Sequence, residues 1–232
     1  MFNVTFNNSD SLNLGIKAIK RHSVPIPSFK YKEDKAEGID GFYITEYENV
    51  EDIEITISFN FLYANDDYFN YKKRLIKNWL RKVKDNKLSF SDDEDCYYKV
   101  KRLEVSNIER EIGLAYFEVK FICEGYEYFA HGCSETKINK NHIVFNTGIK
   151  SFPILRVIGE GNTTITFNDK SFSLNIGQEV IVDSEEELCY KDGRIVTNIM
   201  SGKFPYLEEG ENKINWTGEN IQIYLKTNLR DY

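Results

Sequence analysis

Ile53-Glu54-Ile55-Thr56-Ile57-Ser58-Phe59-Asn60-Phe61 decides the fold class. Its apolar residues recur at every second position, with Glu54, Thr56, Ser58 and Asn60 between them. A strand sends successive side chains to opposite faces, so this stretch reads as a half-buried β-strand with one face in a core. A helix would scatter the same five apolar residues around its axis.

The neighbouring segments repeat the signal. Tyr97 to Val105 and Leu114 to Cys123 read as two more strands, joined by the polar link Ser106 to Gly113. Cys123 continues the alternation of Phe117, Val119 and Phe121, which makes it a small buried hydrophobe. Upstream, Phe2, Val4 and Phe6 alternate with polar residues, and Leu12, Leu14, Ile16 and Ala18 do the same, so both stretches are expected as strands. From Arg21 to Gly41 the pattern dissolves into a charged segment with Pro25, Pro27, Gly38 and Gly41, expected as a long loop or arm.

One helix interrupts the strands, expected over about 66–85. Asn65-Asp66-Asp67 supplies an N-cap and negative charge at the positive helix end. Tyr68, Tyr71, Leu75, Trp79 and Val83 define the expected buried face, flanked by Ile76 and Leu80. Lys72, Lys73, Lys77, Arg81, Lys82 and Lys84 form the expected solvated stripe, and Asp85-Asn86 the stop.

A second unit follows the polar stretch Gly132 to Asn141. Ser151 to Gly159 reads as a strand with Pro153 at its entry, where a missing N–H does no harm. Ile165 and Phe167, then Phe172, Leu174 and Ile176, flank Asn168-Asp169, a hairpin signal because both residues tolerate left-handed angles. Glu179 to Asp183 is another strand, Asp192-Gly193 another turn, and Gly210-Glu211-Asn212 a corner. Ile214 with Trp216, then Ile221, Ile223 and Leu225, supply the last strands. Short strands at regular spacing, with no helical pattern, indicate a β-sandwich. The expected organisation is mainly β: residues 1–140 as a β domain with one α-helix, and 141–232 as a β-sandwich.

Composition bounds the function. The 232 residues are 41% hydrophobic and 14% aromatic with only 4 prolines, which excludes a disordered chain. The net charge of -7, without a basic block, argues against a duplex or sequence-specific nucleic-acid binder. No apolar run reaches the ~20 residues of a membrane helix. The start, Met1 to Phe6, shows no secretory pattern. Cys96, Cys123, Cys133 and Cys189 lack Cys-x-x-Cys spacing, so neither zinc nor a disulfide framework is indicated. His22, His131 and His142 stand outside any nucleophile-elbow pattern. Asp92-Asp93-Glu94-Asp95 fails the EF-hand test, because positions six and twelve from Asp92 are Tyr97 and Leu103, and it reads as a solvated hairpin turn. Glu185-Glu186-Glu187 is a charge run rather than a spaced carboxylate pair. No residue set fills a catalytic, cofactor or metal role, and no enzyme is expected.

The order of features resembles the distal tail proteins of long-tailed bacteriophages. In the first half the resemblance lies in Glu37-Gly38-Ile39-Asp40-Gly41-Phe42-Tyr43, the strand Ile53 to Phe61 and the helix ending Asn78-Trp79-Leu80. It continues through Lys87 to Tyr98, Ile108-Glu109-Arg110 and Phe117 to Phe121. In the second half it lies in Asn146-Thr147-Gly148, Ser151-Phe152-Pro153-Ile154, Gly159-Glu160-Gly161, Ile181 to Glu185 and Met200 to Ile214. The shared order of these features, more than any one of them, carries the resemblance.

The resemblance implies a ring-forming (belt) N-terminal domain and a galectin-like C-terminal sandwich. It implies a homohexameric ring that connects the tail tube to the tail tip or baseplate and supports host-adsorption proteins. The implied partners are the major tail tube protein, the tail-tip or tail-associated lysin protein, the tape-measure protein, and receptor-binding or baseplate proteins. The implied place is the virion tail, assembled in the host cytoplasm. The alternative is a carbohydrate-binding β-sandwich module. Asn215-Trp216-Thr217-Gly218-Glu219 is similar to the tryptophan-and-glutamate part of galectin sites, without their His-Asn-Arg set. Trp216 keeps phase with Ile214, which favours a core or interface position.

Overall fold

The computed structural model describes residues 2–20, 23–34 and 43–232. Its described residues form a mainly β protein with one α-helix and two compact units, residues 1–127 with Tyr232 and residues 128–231. The sequence-based division after residue 140 falls inside the second unit. The reason is that Thr136–Ile138 pairs with Gln222–Lys226, a strand of that unit.

The first unit is built on the strand that decides the fold. Ile53–Leu62 alternates buried and outward residues and pairs antiparallel with Leu114–Cys123 along its whole length, Ile53 opposite Cys123 and Leu62 opposite Leu114. Leu114–Cys123 pairs in turn with Asp93–Val105, which continues through Lys87–Phe90 to Val4–Phe6. The inward residues form an aromatic core. Phe59 stacks on Phe117 at 5.3 Å and meets the edge of Trp79 at 5.8 Å, while Phe6 touches Trp79 and Phe121. The Trp79 indole N–H donates to the Phe6 carbonyl at 2.8 Å, which satisfies the polar edge of a ring only 5% exposed.

The helix spans Asp66–Arg81, and the Asn65 side chain accepts from the Tyr68 N–H, as the sequence predicts. Its end and its face differ from expectation. It stops before Asp85-Asn86 because Asn7 reaches it from the turn after Val4–Phe6. The Asn7 amide donates to the carbonyls of Trp79 and Lys82, and its oxygen accepts from the Lys84 N–H. The buried face is Phe69, Lys72, Ile76, Trp79 and Leu80, whereas Tyr68, Tyr71 and Val83 are exposed. The face is rotated because Phe69, absent from the expected face, packs on Phe61 and Tyr63. Lys72 leaves the solvated stripe: it is buried, and its ammonium donates to the Leu14 carbonyl.

Three local expectations are corrected. Leu12–Gly15 is a turn, closed by the Gly15 N–H on the Leu12 carbonyl and by Asp10 accepting from the Leu12 N–H, so only Lys17–Ala18 remains as strand. The expected loop from Arg21 to Gly41 contains the strand Phe29–Asp34, which pairs with Tyr43–Val50 as a separate two-stranded arm. Arg21, His22 and residues 35–42, including most of Glu37 to Tyr43, lie outside the described residues. Of the acidic run, only Asp92 joins Ser91 in the turn; Asp93 already begins the next strand, opposite Phe90.

The second unit hangs on one long hairpin, Ile154–Phe167 and Lys170–Asp183, turned at Asn168 and Asp169 as expected. The hairpin changes partners along its length. Ile154–Ile158 pairs with Gln222–Lys226, whereas Ile165–Phe167 pairs with Gly210–Trp216. On the returning strand, Ile181–Asp183 pairs with Leu188–Lys191, and Ser173–Leu174 with Met200–Ser201. Between the two sets, Gly161 at φ 84° and Gln178 at φ 73° bend the ribbon. The two halves therefore belong to two layers of a sandwich, and Leu155, Val157, Ile165, Leu174, Val180 and Val182 are buried between them. Gly148 passes so close to the Arg230 carbonyl that an added Cβ would collide with it.

Candidate functional site

The sequence-nominated groups disperse into structural roles. Trp216 is 6% exposed in the core of the second unit, so its ring has no free face for a sugar, while Asn215, Thr217 and Glu219 are exposed around it. Asp183 accepts from the N–H groups of Glu185 and Glu186, which makes the glutamate run a capped turn. His131 stacks on Phe129, and His142 starts the strand His142–Asn146. All four cysteines are thiols rather than halves of a disulfide, and Cys123 and Cys189 are fully buried.

The acidic turn does gather ligand-type atoms. One atom each of Asp93, Cys96 and Glu127 lies within 4.8 Å of the others. Burial, aided by the charges of Glu127, Asp93 and Asp95, pushes the Cys96 thiol up to about 12. Burial and the hydrogen bond to Glu127 likewise raise Tyr98, whose hydroxyl donates to the Glu127 carboxylate at 2.5 Å. A thiol that keeps its proton is a poor metal ligand, since metals bind the thiolate. The Cys96 thiol and the Tyr98 hydroxyl are donors held on the Glu127 carboxylate, with the Asp93 carboxylate beside them.

What remains is surface, and the first unit concentrates it on the helix and the arm. The helix sits between two open grooves. One, of about 630 Å³, runs along Asn7, Leu14, Tyr71, Leu75 and Lys82. The other, of about 560 Å³, has Phe69, Ile76, Leu80 and Ile108 as its apolar floor and Lys73, Lys77, Arg81 and Arg110 at its rim. Arg110 is fixed there by an ion pair with Asp66 and by stacking over Phe69 at 4.1 Å. The arm exposes Phe29, Tyr31 and Ile44. Residues 65–84 hold seven basic side chains against two acids, and residues 29–52 hold three lysines against eight acids. The sequence already showed the basic stripe. It did not show the pairing of Phe29–Asp34 with Tyr43–Val50.

Residues 11–123 match the family of phage tail protein RIFT-related domains. The matched residues lie within the first unit. Over the whole chain the structure is similar to the crystal structure of the Dit protein (gp 19.1) of phage SPP1. The TM-score is 0.66 at 14% identity, and the match covers 97% of this chain and 98% of that one. That protein is described as a paradigm of the hub adsorption apparatus in phages infecting Gram-positive hosts. No curated protein matches the chain. Residues 11–123 thus match a phage tail domain family, and over almost its whole length the chain has the fold of that distal tail protein. Among the described residues no helix is long and apolar enough to cross a membrane.

Proposed function

We propose that the chain is the distal tail protein that forms a homohexameric ring between the tail tube and the tail tip. The observation that carries this reading is the phage-tail domain at residues 11–123 within a full-length distal-tail fold. The first unit forms the belt of the ring, and the second, a galectin-like sandwich, holds tip, baseplate or receptor-binding proteins. The tube protein lies above, the tail-associated lysin below, and the tape-measure protein in the lumen. The ring does its work by shape and contact, without catalysis, in the virion tail after assembly in the host cytoplasm.

The surfaces support this reading. A ring needs heterologous contacts, so each copy must present two different patches that complement each other. The acidic, partly apolar arm and the basic helix with its apolar grooves are two such patches on one unit. Opposed charge steers such contacts and fixes their register.

Electron microscopy of the purified chain, with its mass from light scattering, tests the reading. Six-membered rings, at six times 27.2 kDa, are expected. Monomers at every concentration, together with absence of the chain from purified tails, would refute it.

A further inference from the structure

Four strands of the sheet built on the long hairpin have a single strand partner among the described residues: Thr136–Ile138, His142–Asn146, Arg194–Ile195 and Met200–Ser201. An open edge invites pairing with another chain, and proteins blunt such edges with short strands, charge, proline or bulges. Thr136–Ile138 has three residues, one of them Lys137, and the other two short strands have two residues each, Arg194 in one of them. His142–Asn146 has none of these guards. It is five residues long, carries no charged residue and no proline, and pairs with Gly210–Trp216 in unbroken register from His142↔Ile214 to Asn146↔Gly210. On its outer face Ile143 is 54% exposed and Phe145 67%.

We propose that His142–Asn146 is a self-pairing edge, which takes the same strand of a second copy antiparallel about a twofold axis at Val144. The strand is complementary to itself. Pairing about Val144 places Ile143 beside Phe145 of the second copy, and Phe145 beside that copy's Ile143, so both exposed apolar pairs close over one another. The flanking charges agree. Lys213 lies opposite Ile143 and Glu211 opposite Phe145 within one copy. Each row across the junction therefore runs from Lys213 through two apolar side chains to Glu211 of the second copy, with no like charges facing. The contact spans about 17 Å of strand and is smaller than a standard interface of ~1,600 Å². A lone pair is accordingly weak, and copies already joined by other contacts gain from repetition. This contact is isologous, so it adds to the heterologous contacts of a ring and cannot replace them.

Native mass spectrometry and analytical ultracentrifugation of the full chain across a concentration series test the proposal, with amide hydrogen exchange as the local readout. Wild-type protein is expected to double in mass, and the outward-facing amides of Ile143 and Phe145, which do not bond to Gly210–Trp216, to become protected in the doubled form only. Phe145→Lys, a guard placed on the open edge, is expected to raise the dissociation constant of the doubling step at least tenfold. Ile143→Lys repeats the test at the other apolar position, and far-UV circular dichroism verifies the fold of both. Wild-type protein that never doubles, or doubling that neither lysine weakens, overturns the proposal. Protection of these amides in purified tails but never in the isolated chain gives the edge to another tail protein and overturns it too. Rings that do not double would sink this inference and leave the ring reading standing, whereas doubling by a chain that forms no ring and is absent from purified tails would do the reverse.

Discussion

Replacing Asn7 by alanine removes the cap that ends the helix. The Asn7 side chain donates to the carbonyls of Trp79 at 2.9 Å and Lys82 at 3.1 Å, and accepts from the N–H groups of Lys84 at 2.7 Å and Asp85 at 3.2 Å. These groups border an open groove, so water replaces the lost partners. Each bond then counts at the low end of the usual range, ~0.5 kcal/mol. The four bonds together come to ~2 kcal/mol. Asn7 also sits at φ 55°. At such a left-handed angle alanine costs ~1 kcal/mol more than asparagine. Asn7→Ala should therefore destabilise the first unit by ~3 kcal/mol, and Asn7→Gly, which accepts the angle freely, by ~2 kcal/mol. The chain has 2 tryptophans, Trp79 in the first unit and Trp216 in the second. Urea unfolding followed by fluorescence in a Trp216→Phe background thus reports the first unit. Faster hydrogen exchange at Lys84 and Asp85 should accompany the loss. A change below ~0.5 kcal/mol for Asn7→Ala would show that the long-range cap does not end the helix.

Gly148→Ala forces a Cβ into the Arg230 carbonyl. It should lower the stability of the second unit by ~1–3 kcal/mol, read by Trp216 fluorescence in a Trp79→Phe background. Gln178→Gly relieves a left-handed residue at the bend of the long hairpin. It should stabilise the same unit by ~0.5–1 kcal/mol in the same assay. The Cys96 thiol, raised from 9.0 to about 12, should react with iodoacetamide at pH 8 about 1,000-fold more slowly than in the unfolded chain, as quantified by peptide mass spectrometry. The same shifts set a pH dependence. Cys96, Cys123, Cys189 and Tyr98 have folded values above their ordinary ones, so each binds its proton more tightly when folded. Their stabilisation is complete below pH 9 and declines as pH rises toward 11 to 12, so thermal melts should fall across that window.

Periodicity made much of the fold legible. Ile53 to Phe61 and Leu114 to Cys123 alternate because one face of each strand is buried, and the structure keeps both nearly residue for residue. Asn168-Asp169 and Asp192-Gly193 turned where their tolerance of left-handed angles allows. The helix face was harder to read. Tyr68 and Tyr71 belong to the expected face but are exposed, whereas Phe69 packs on Phe61 and Tyr63; hydropathy alone does not distinguish these cases. Lys72 was misplaced because a lysine stem can lie buried when its ammonium finds a carbonyl.

The sequence by itself determined the β class, the single helix with its Asn65 cap, the core residues of most strands and the turns of the main hairpins. These depend on spacing over a few residues, and local sterics and burial impose that spacing. The tertiary structure alone decided which strands neighbour which, and that the arm pairs with itself. It also decided that Asn7 ends a helix far along the chain, and that His142–Asn146 is left as an unguarded edge. Pairing joins residues distant in sequence, and nothing in the local pattern of one strand encodes the identity of its neighbour.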